Sequence, residues 1–252
     1  MSRGLVALSA REAHRVLKLW TQTVAAPIIS SFLFIAVFGL SLGGRIREID
    51  GVQYEVFIVP GLLVMAMIQA AYANNSATVF QARFDRYLND VLSAPMKGWE
   101  VNLALSLGGI VRALLIGTGL LLASIAAVDV PVREPLVLIA ALVLALTLFA
   151  SFGVIVGVYA QSWDHTAFIQ NIVILPLTFV GGVFYSVEVL PSPWEELSHF
   201  NPVFYLVNAV RFGFLGHSDV SVWLSLGVTA ALAIPAYLWA QYLFTTGRRL
   251  KA

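Results

Sequence analysis

Apolar residues in this chain do not alternate with polar ones. They gather into six blocks, at residues 24–42, 56–79, 101–128, 136–160, 168–187 and 222–244, each nearly free of charge. At about 1.5 Å of rise per helical residue, each block can cross a hydrocarbon core roughly 30 Å thick. The pattern predicts an all-α membrane protein: six transmembrane helices in a single transmembrane domain over residues 1–252. Too little chain remains between the blocks to build a soluble catalytic domain.

Three segments outside the blocks carry a pattern of their own. In residues 1–20, Arg11, His14, Arg15 and Lys18 recur at helical spacing, with Leu5, Val6, Ala13, Val16, Leu17 and Trp20 on the other face. Such a helix suits the cytoplasmic surface of a bilayer, so an N-terminal amphipathic interface helix is expected. In the loop 81–100, Phe84, Tyr87, Leu88 and Leu92 share a helical stripe among Arg83, Asp85, Arg86 and Asp90. Pro95 should stop that helix, because the residue before a proline disfavours the α region. Segment 188–216 reads as two short helices. Ser192-Pro193-Trp194-Glu195 has the form of a capping box, and Asn201-Pro202 opens a second helix over 203–215 that Gly216 ends. Neither is long enough to span. The aromatic density (Trp194, Phe204, Tyr205, Phe212, Phe214) favours an outer re-entrant hairpin between helices five and six over a solvated loop.

Composition agrees with the pattern: 59% of residues are hydrophobic and only 12% charged, against about 25% charged in soluble domains. A net charge of +1 gives nucleic acid nothing to bind, and the absence of cysteine excludes disulfides and thiolate chemistry. The placement of charge is more informative. Arg3, Arg11, Arg15, Lys18, Arg83, Arg86, Lys97, Arg248, Arg249 and Lys251 fall on one side of alternating spans, and Arg45, Arg47, Arg133 and Arg211 on the other. The excess puts both termini in the cytoplasm.

The chemistry in the chain is sparse. There is no GxxxxGK[ST] phosphate loop, no HExxH and no GxSxG, and the four histidines are scattered. Within the spans stand Asn74, Asn75, Arg112, Gln170 and Asn171, which need a partner or a cavity at that depth. Arg112 either locks the bundle, on carbonyls or on the Asn74–Asn75 pair, or lines a path. No carboxylate sits clearly inside a span, which weakens an ion-driven transporter. Gly39…Gly43 and Gly153…Gly157 have the spacing of helix–helix contacts, and LSLGG occurs at 40–44 and 105–109.

The order of these features, with LSAPM at 92–96, GGVFYSVEVLP at 181–191 and NPVFYLVNAVRFGFLG at 201–216, resembles the membrane subunit of type-2 ABC exporters, the family of drug, polysaccharide and lipid-linked glycan exporters. The resemblance covers essentially the whole chain. Its most specific part is Pro176…Gly181-Gly182-Val183-Phe184…Leu190-Pro191…Asn201-Pro202…Arg211. It implies a multi-pass permease subunit of the bacterial inner membrane and no enzyme. No cofactor is expected in this chain, because ATP and magnesium would be bound by a separate P-loop ATPase subunit. Two permease copies and two ATPase copies are expected, with membrane lipids around them. The coupling helix would hold Arg83, Phe84, Asp85, Arg86, Tyr87, Leu88 and Asp90, and an external gate Trp194, Asn201, Pro202, Phe204, Arg211 and Phe212. The cargo would be amphiphilic. Two other classes stay open on the sequence: an intramembrane lipid-modifying enzyme, with Arg112 and the asparagines on a headgroup, and a non-transporting scaffold.

Overall fold

The computed structural model describes residues 3–42, 48–49 and 51–250, and these are helical nearly throughout. Gly43, Arg45, Arg47 and Lys251 lie outside the described residues, and with them the first LSLGG and the Gly39…Gly43 contact. Helix α1 (Arg3–Lys18) runs through a widened π-helical turn (Thr21–Ala25) into α2 (Ala26–Leu42). A small antiparallel pair, β1 (Glu48–Ile49) and β2 (Val52–Gln53), leads into α3 (Tyr54–Phe84). Then follow α4 (Tyr87–Ser93), α5 (Gly98–Ala127), α6 (Pro135–Tyr159), α7 (Trp163–Phe168), α8 (Leu175–Val180), α9 (Trp194–His199), α10 (Pro202–Leu215) and α11 (Val222–Thr246).

Five helices among the described residues are long and apolar enough to cross a membrane: Thr21–Phe38, α3, α5, α6 and α11. The block at 168–187 departs from expectation. Its helical run is Trp163–Val180, built from α7, a second π-helical turn (Ile169–Ile174) and α8, and it ends at the Gly181–Gly182 turn. Pro176 has no N–H for the carbonyl of Ile172, four residues back, so regular α hydrogen bonding cannot continue through this stretch and the turn widens there.

Helix α3 is the axis of the bundle. It is buried on nearly every side and packs against α2, α5, α6 and α10. Close approach depends on glycine. A Cβ on Gly153 or Gly157 of α6 would stand 2.7 Å from the carbonyl of Tyr72 or Ser76, so the expected Gly153…Gly157 contact is made on α3. Gly109 of the second LSLGG works the same way on α5, where a Cβ would fall 2.3 Å from the Asn75 amide oxygen.

Apolar side chains also cover the outside. Leu122, Leu136, Ile139, Val143, Trp223 and Leu238 are all exposed, a surface that water would penalise and lipid would not. All six tryptophans are exposed, five of them at or beside a helix start (Trp20, Trp99, Trp163, Trp194, Trp223). Indoles prefer the two membrane–water interfaces, where the ring is half-buried and its N–H stays wet.

Candidate functional site

One end of the bundle is built where α1, α3 and α4 meet. The helix expected over 83–92 is split. Arg83 and Phe84 form the last turn of α3, Arg86 takes a left-handed conformation (φ 62°), and α4 restarts at Tyr87. Arg83 points inward, donating to the carbonyls of Gly157 and Ala160 at 3.2 and 3.3 Å, and so caps the end of α6. Phe84 is 69% exposed and stacks on Phe80, whose ring meets Trp163 edge-on. Asp85, Arg86 and Asp90 are exposed. Leu88 is only 1% exposed and plugs the core at this end with Val79, Val101 and Leu105.

From α1, the Arg11 guanidinium lies 4.9 Å over the Tyr87 ring. Burial pushes the Tyr87 phenol above its ordinary value, and Arg11 pulls the other way. Burial works against the Arg11 cation, but its hydrogen bond to Glu12 and the Glu12 charge outweigh that, so the net direction is upward. Glu12, 1% exposed, pairs with Arg11 at 2.8 Å and Arg15 at 3.1 Å. Arg15 also donates to the Thr78 hydroxyl and, at 3.4 Å, to Asn74 Oδ1. The next residue, Asn75, joins three helices. Its Nδ2 donates to the carbonyls of Ala150 (3.2 Å) and Ser106 (3.4 Å), and its Oδ1 accepts from Gly109 N–H at 3.1 Å. A polar line therefore runs from the loop through α1 into α3, α5 and α6. Buried groups of this kind are worth their desolvation only when fully satisfied, and they fix one arrangement of the helices they join.

At mid-height a cavity of about 350 Å³ opens between α2, α3, α5 and α8. Arg112, Gln69, Gln170, Ser30 and Ser31 give it polar groups, while Phe34, Leu62, Met65 and Phe179 supply apolar wall. Arg112 does not reach the asparagine pair. Its Nε donates to the carbonyl of Thr23 at 2.9 Å. Pro27, four residues after Thr23, has no N–H to offer that carbonyl, and Arg112 satisfies it instead.

The opposite end turns on Arg211 of α10. It is 1% exposed, donates to the Gly182 carbonyl, lies 3.9 Å over the Phe57 ring and faces Asp219 Oδ2 at 3.8 Å. Gly182 has φ 76°, a conformation that favours glycine. Asp219 also accepts from Val187 N–H at 3.1 Å. Asn201 caps α10 by accepting from Val203 N–H (2.9 Å) and returns its amide to the Leu177 carbonyl (2.7 Å). Gly216 closes α10 in the left-handed conformation. The motif residues of segments 181–191 and 201–216 thus bond to one another.

Residues 3–215 match the family described as ABC-2 type transporter. The chain is 37% identical over 251 residues to the inner membrane transport permease YadH of Escherichia coli (strain K12), spanning 99% of this chain and 97% of that protein. It is 26% identical over 227 residues to nodulation protein J of Rhizobium leguminosarum bv. viciae, spanning 87% of this chain and 86% of that protein. The corresponding figures for nodulation protein J of Rhizobium meliloti (strain 1021) are 28% over 223 residues, 85% and 84%. The chain belongs to the ABC-2 type transporter family.

As an ABC-2 permease it is a membrane subunit of an ABC transporter, and the family implies a separate ATPase partner and a dimeric arrangement. Against the residues singled out in its sequence, several placements change. Leu88 is core and not a surface anchor, because α4 is amphipathic and turns that position under the bundle. Arg83 is engaged with α6. Ser192 does not cap α9: the helix starts at Trp194 with Pro193 in the cap position, which leaves Ser192 beyond reach of the first-turn N–H groups, and its hydroxyl contacts Glu196 instead. Arg211, named among the external-gate residues, is fully buried on the Gly182 carbonyl. Phe204 is buried, Phe212 and Pro202 are half-buried, and Trp194 is exposed. Gln170 lines the cavity, whereas Asn171 faces outward. On α1, Leu5, Leu8, Glu12 and Val16 form the buried stripe, while Val6, Leu17 and Trp20 are exposed. Pattern reading missed Glu12, Asn208 and Asp219. Only the spacing of Glu12 from Arg15 (i, i+3) could have pointed to that pair; Asn208 and Asp219 reveal themselves only once α10 and α11 are side by side.

Proposed function

We propose that this permease works as two copies, each with its own copy of a P-loop ATPase, to move an amphiphilic cargo outward across the bacterial inner membrane. The observation that carries this reading is the junction of α1, α3 and α4. Movement of an ATPase against exposed Phe84, Asp85, Arg86 and Asp90 would reach the bundle through Arg11–Tyr87 and Arg15–Thr78. The run Trp163–Val180 is the sixth crossing. Its 18 residues reach about 27 Å. Both termini then lie in the cytoplasm.

Helix α1 lies in the cytoplasmic interface with three faces: the buried stripe on α5, a polar face with His14 and Lys18 toward headgroups and cytosol while Arg11 and Arg15 turn to Tyr87, Glu12 and Thr78, and Val6 and Leu17 in the membrane. A second copy covers the face carrying Ser30 and Asn171, whose exposure at membrane depth is costly toward lipid. Helices α9 and α10 form the re-entrant outer hairpin and close the external mouth. Native mass spectrometry of the permease co-expressed with candidate P-loop ATPases tests the assembly. A complex of two permeases and two ATPases is expected; a permease that retains no ATPase while still folded contradicts it.

A further inference from the structure

The mid-height cavity has hydrogen-bond donors and a positive charge, but no negative one. Arg112 stands halfway along the 30-residue α5. It spends only Nε on the Thr23 carbonyl, and no carboxylate lies within ion-pair distance of it among the described residues. The buried carboxylates among the described residues are committed elsewhere, Glu12 to Arg11 and Arg15, Asp219 to Arg211, and Glu100 to the Lys97 N–H. Beside Arg112, the Nε2 of Gln69 is buried and donates to nothing among the described residues. A mid-span cation and an idle amide N–H are both costly, and both are satisfied by one anion. The rest of the wall, Phe34, Leu62, Met65, Phe179 and Phe184, is suited to a hydrocarbon chain and offers a free ion nothing.

We propose that this cavity binds an amphiphile with an anionic headgroup, the anion seated on Arg112 and Gln69 and the tail against the phenylalanines and Met65. The assignment rests on the exporter reading above and narrows its cargo class. The cavity opens toward the same face that a second copy would cover, so an anion held there would be closed off from lipid.

The test uses the permease–ATPase complex in phosphatidylcholine nanodiscs, with radiolabelled dodecyl phosphate as the probe. Dodecyl phosphate should bind. Inorganic phosphate and dodecyltrimethylammonium at the same concentration should not displace it. Loss of a charge-assisted pair in Arg112→Gln should weaken binding about tenfold to a hundredfold, while Arg112→Lys should stay within a few-fold. Gln69→Leu should weaken it about fivefold without removing the charge, and serves as the second variant if Arg112→Gln fails to fold. Equal displacement by inorganic phosphate, or unchanged affinity in Arg112→Gln, would overturn the proposal. If neutral dodecyl maltoside is held, is lost in the cavity-filling Ala66→Trp, and is released on ATP addition, while dodecyl phosphate is not held, the anionic assignment fails and the exporter reading stands. If ATP releases no amphiphile of any headgroup, the exporter reading fails.

Discussion

Replacing Arg211 by Met should lower the melting temperature of the purified permease by roughly 10 °C. The side chain is fully buried, and the Asp219 carboxylate facing it is 1% exposed. Removing one partner of a buried pair typically costs about 3–5 kcal/mol, because the other is left without compensation. For a chain of this size each kcal/mol moves the melting temperature by about 2–4 °C. The double variant Arg211→Met/Asp219→Asn discriminates the cause. Asparagine keeps an oxygen for Val187 N–H and removes the stranded charge, so what remains is chiefly the unmet Gly182 carbonyl and the lost Phe57 contact, about 1–2 kcal/mol. The double variant should therefore melt at least 5 °C above Arg211→Met, a difference of about 2 kcal/mol. Fluorescence-detected size-exclusion after heating gives both values on the same detergent-solubilised material. A single variant within 2 °C of wild type, or a double variant no better than the single, would refute the view that this pair holds the outer seam.

Other substitutions separate docking from packing. Phe84→Ala should weaken retention of the ATPase subunit at least tenfold in a pull-down with melting unchanged, as expected for an exposed anchor. Leu88→Ala, four residues on, should instead cost about 2–4 kcal/mol of stability, because it empties a filled core site. Gly109→Ala should destabilise by about 1–3 kcal/mol in a heat-inactivation series, since its Cβ meets the Asn75 amide oxygen and, at 2.8 Å, the backbone carbonyl of Ala71. Asn201→Ala should cost about 1–2 kcal/mol in the same series, from loss of the α10 cap and the Leu177 tie.

Much of this architecture was legible because it depends on local signals. The apolar blocks predicted α2, α3, α5, α6 and α11, and Asn201-Pro202 with Gly216 bounded α10 to within a residue, because caps and breakers act on their own helix. Where expectation failed, the deciding partner was distant in sequence. Periodicity put Leu88 on the same stripe as Phe84, but the left-handed break at Arg86 rotates the two apart. The basic face of α1 was readable, whereas the burial of Glu12 needs α5 beside it, with Gly108 providing room. Arg112 stood out as a charge in an apolar block. Its carbonyl partner, Thr23, follows from Pro27, which lies on another helix and far back in the chain.

The central claim is that ATP use at the cytoplasmic end moves the outer hairpin, and single cysteines in this cysteine-free chain test it directly. Ser198→Cys is close to isosteric at a fully buried site of α9, Phe204→Cys reports from buried α10, and Trp194→Cys is the exposed control. With the permease–ATPase complex in nanodiscs, an impermeant maleimide applied to the outer side should label Trp194→Cys in every state. Ser198→Cys and Phe204→Cys should stay unlabelled at rest and become reactive, by at least tenfold in rate, when ATP is trapped by vanadate. Equal labelling of the two buried sites with and without trapped nucleotide would contradict the account.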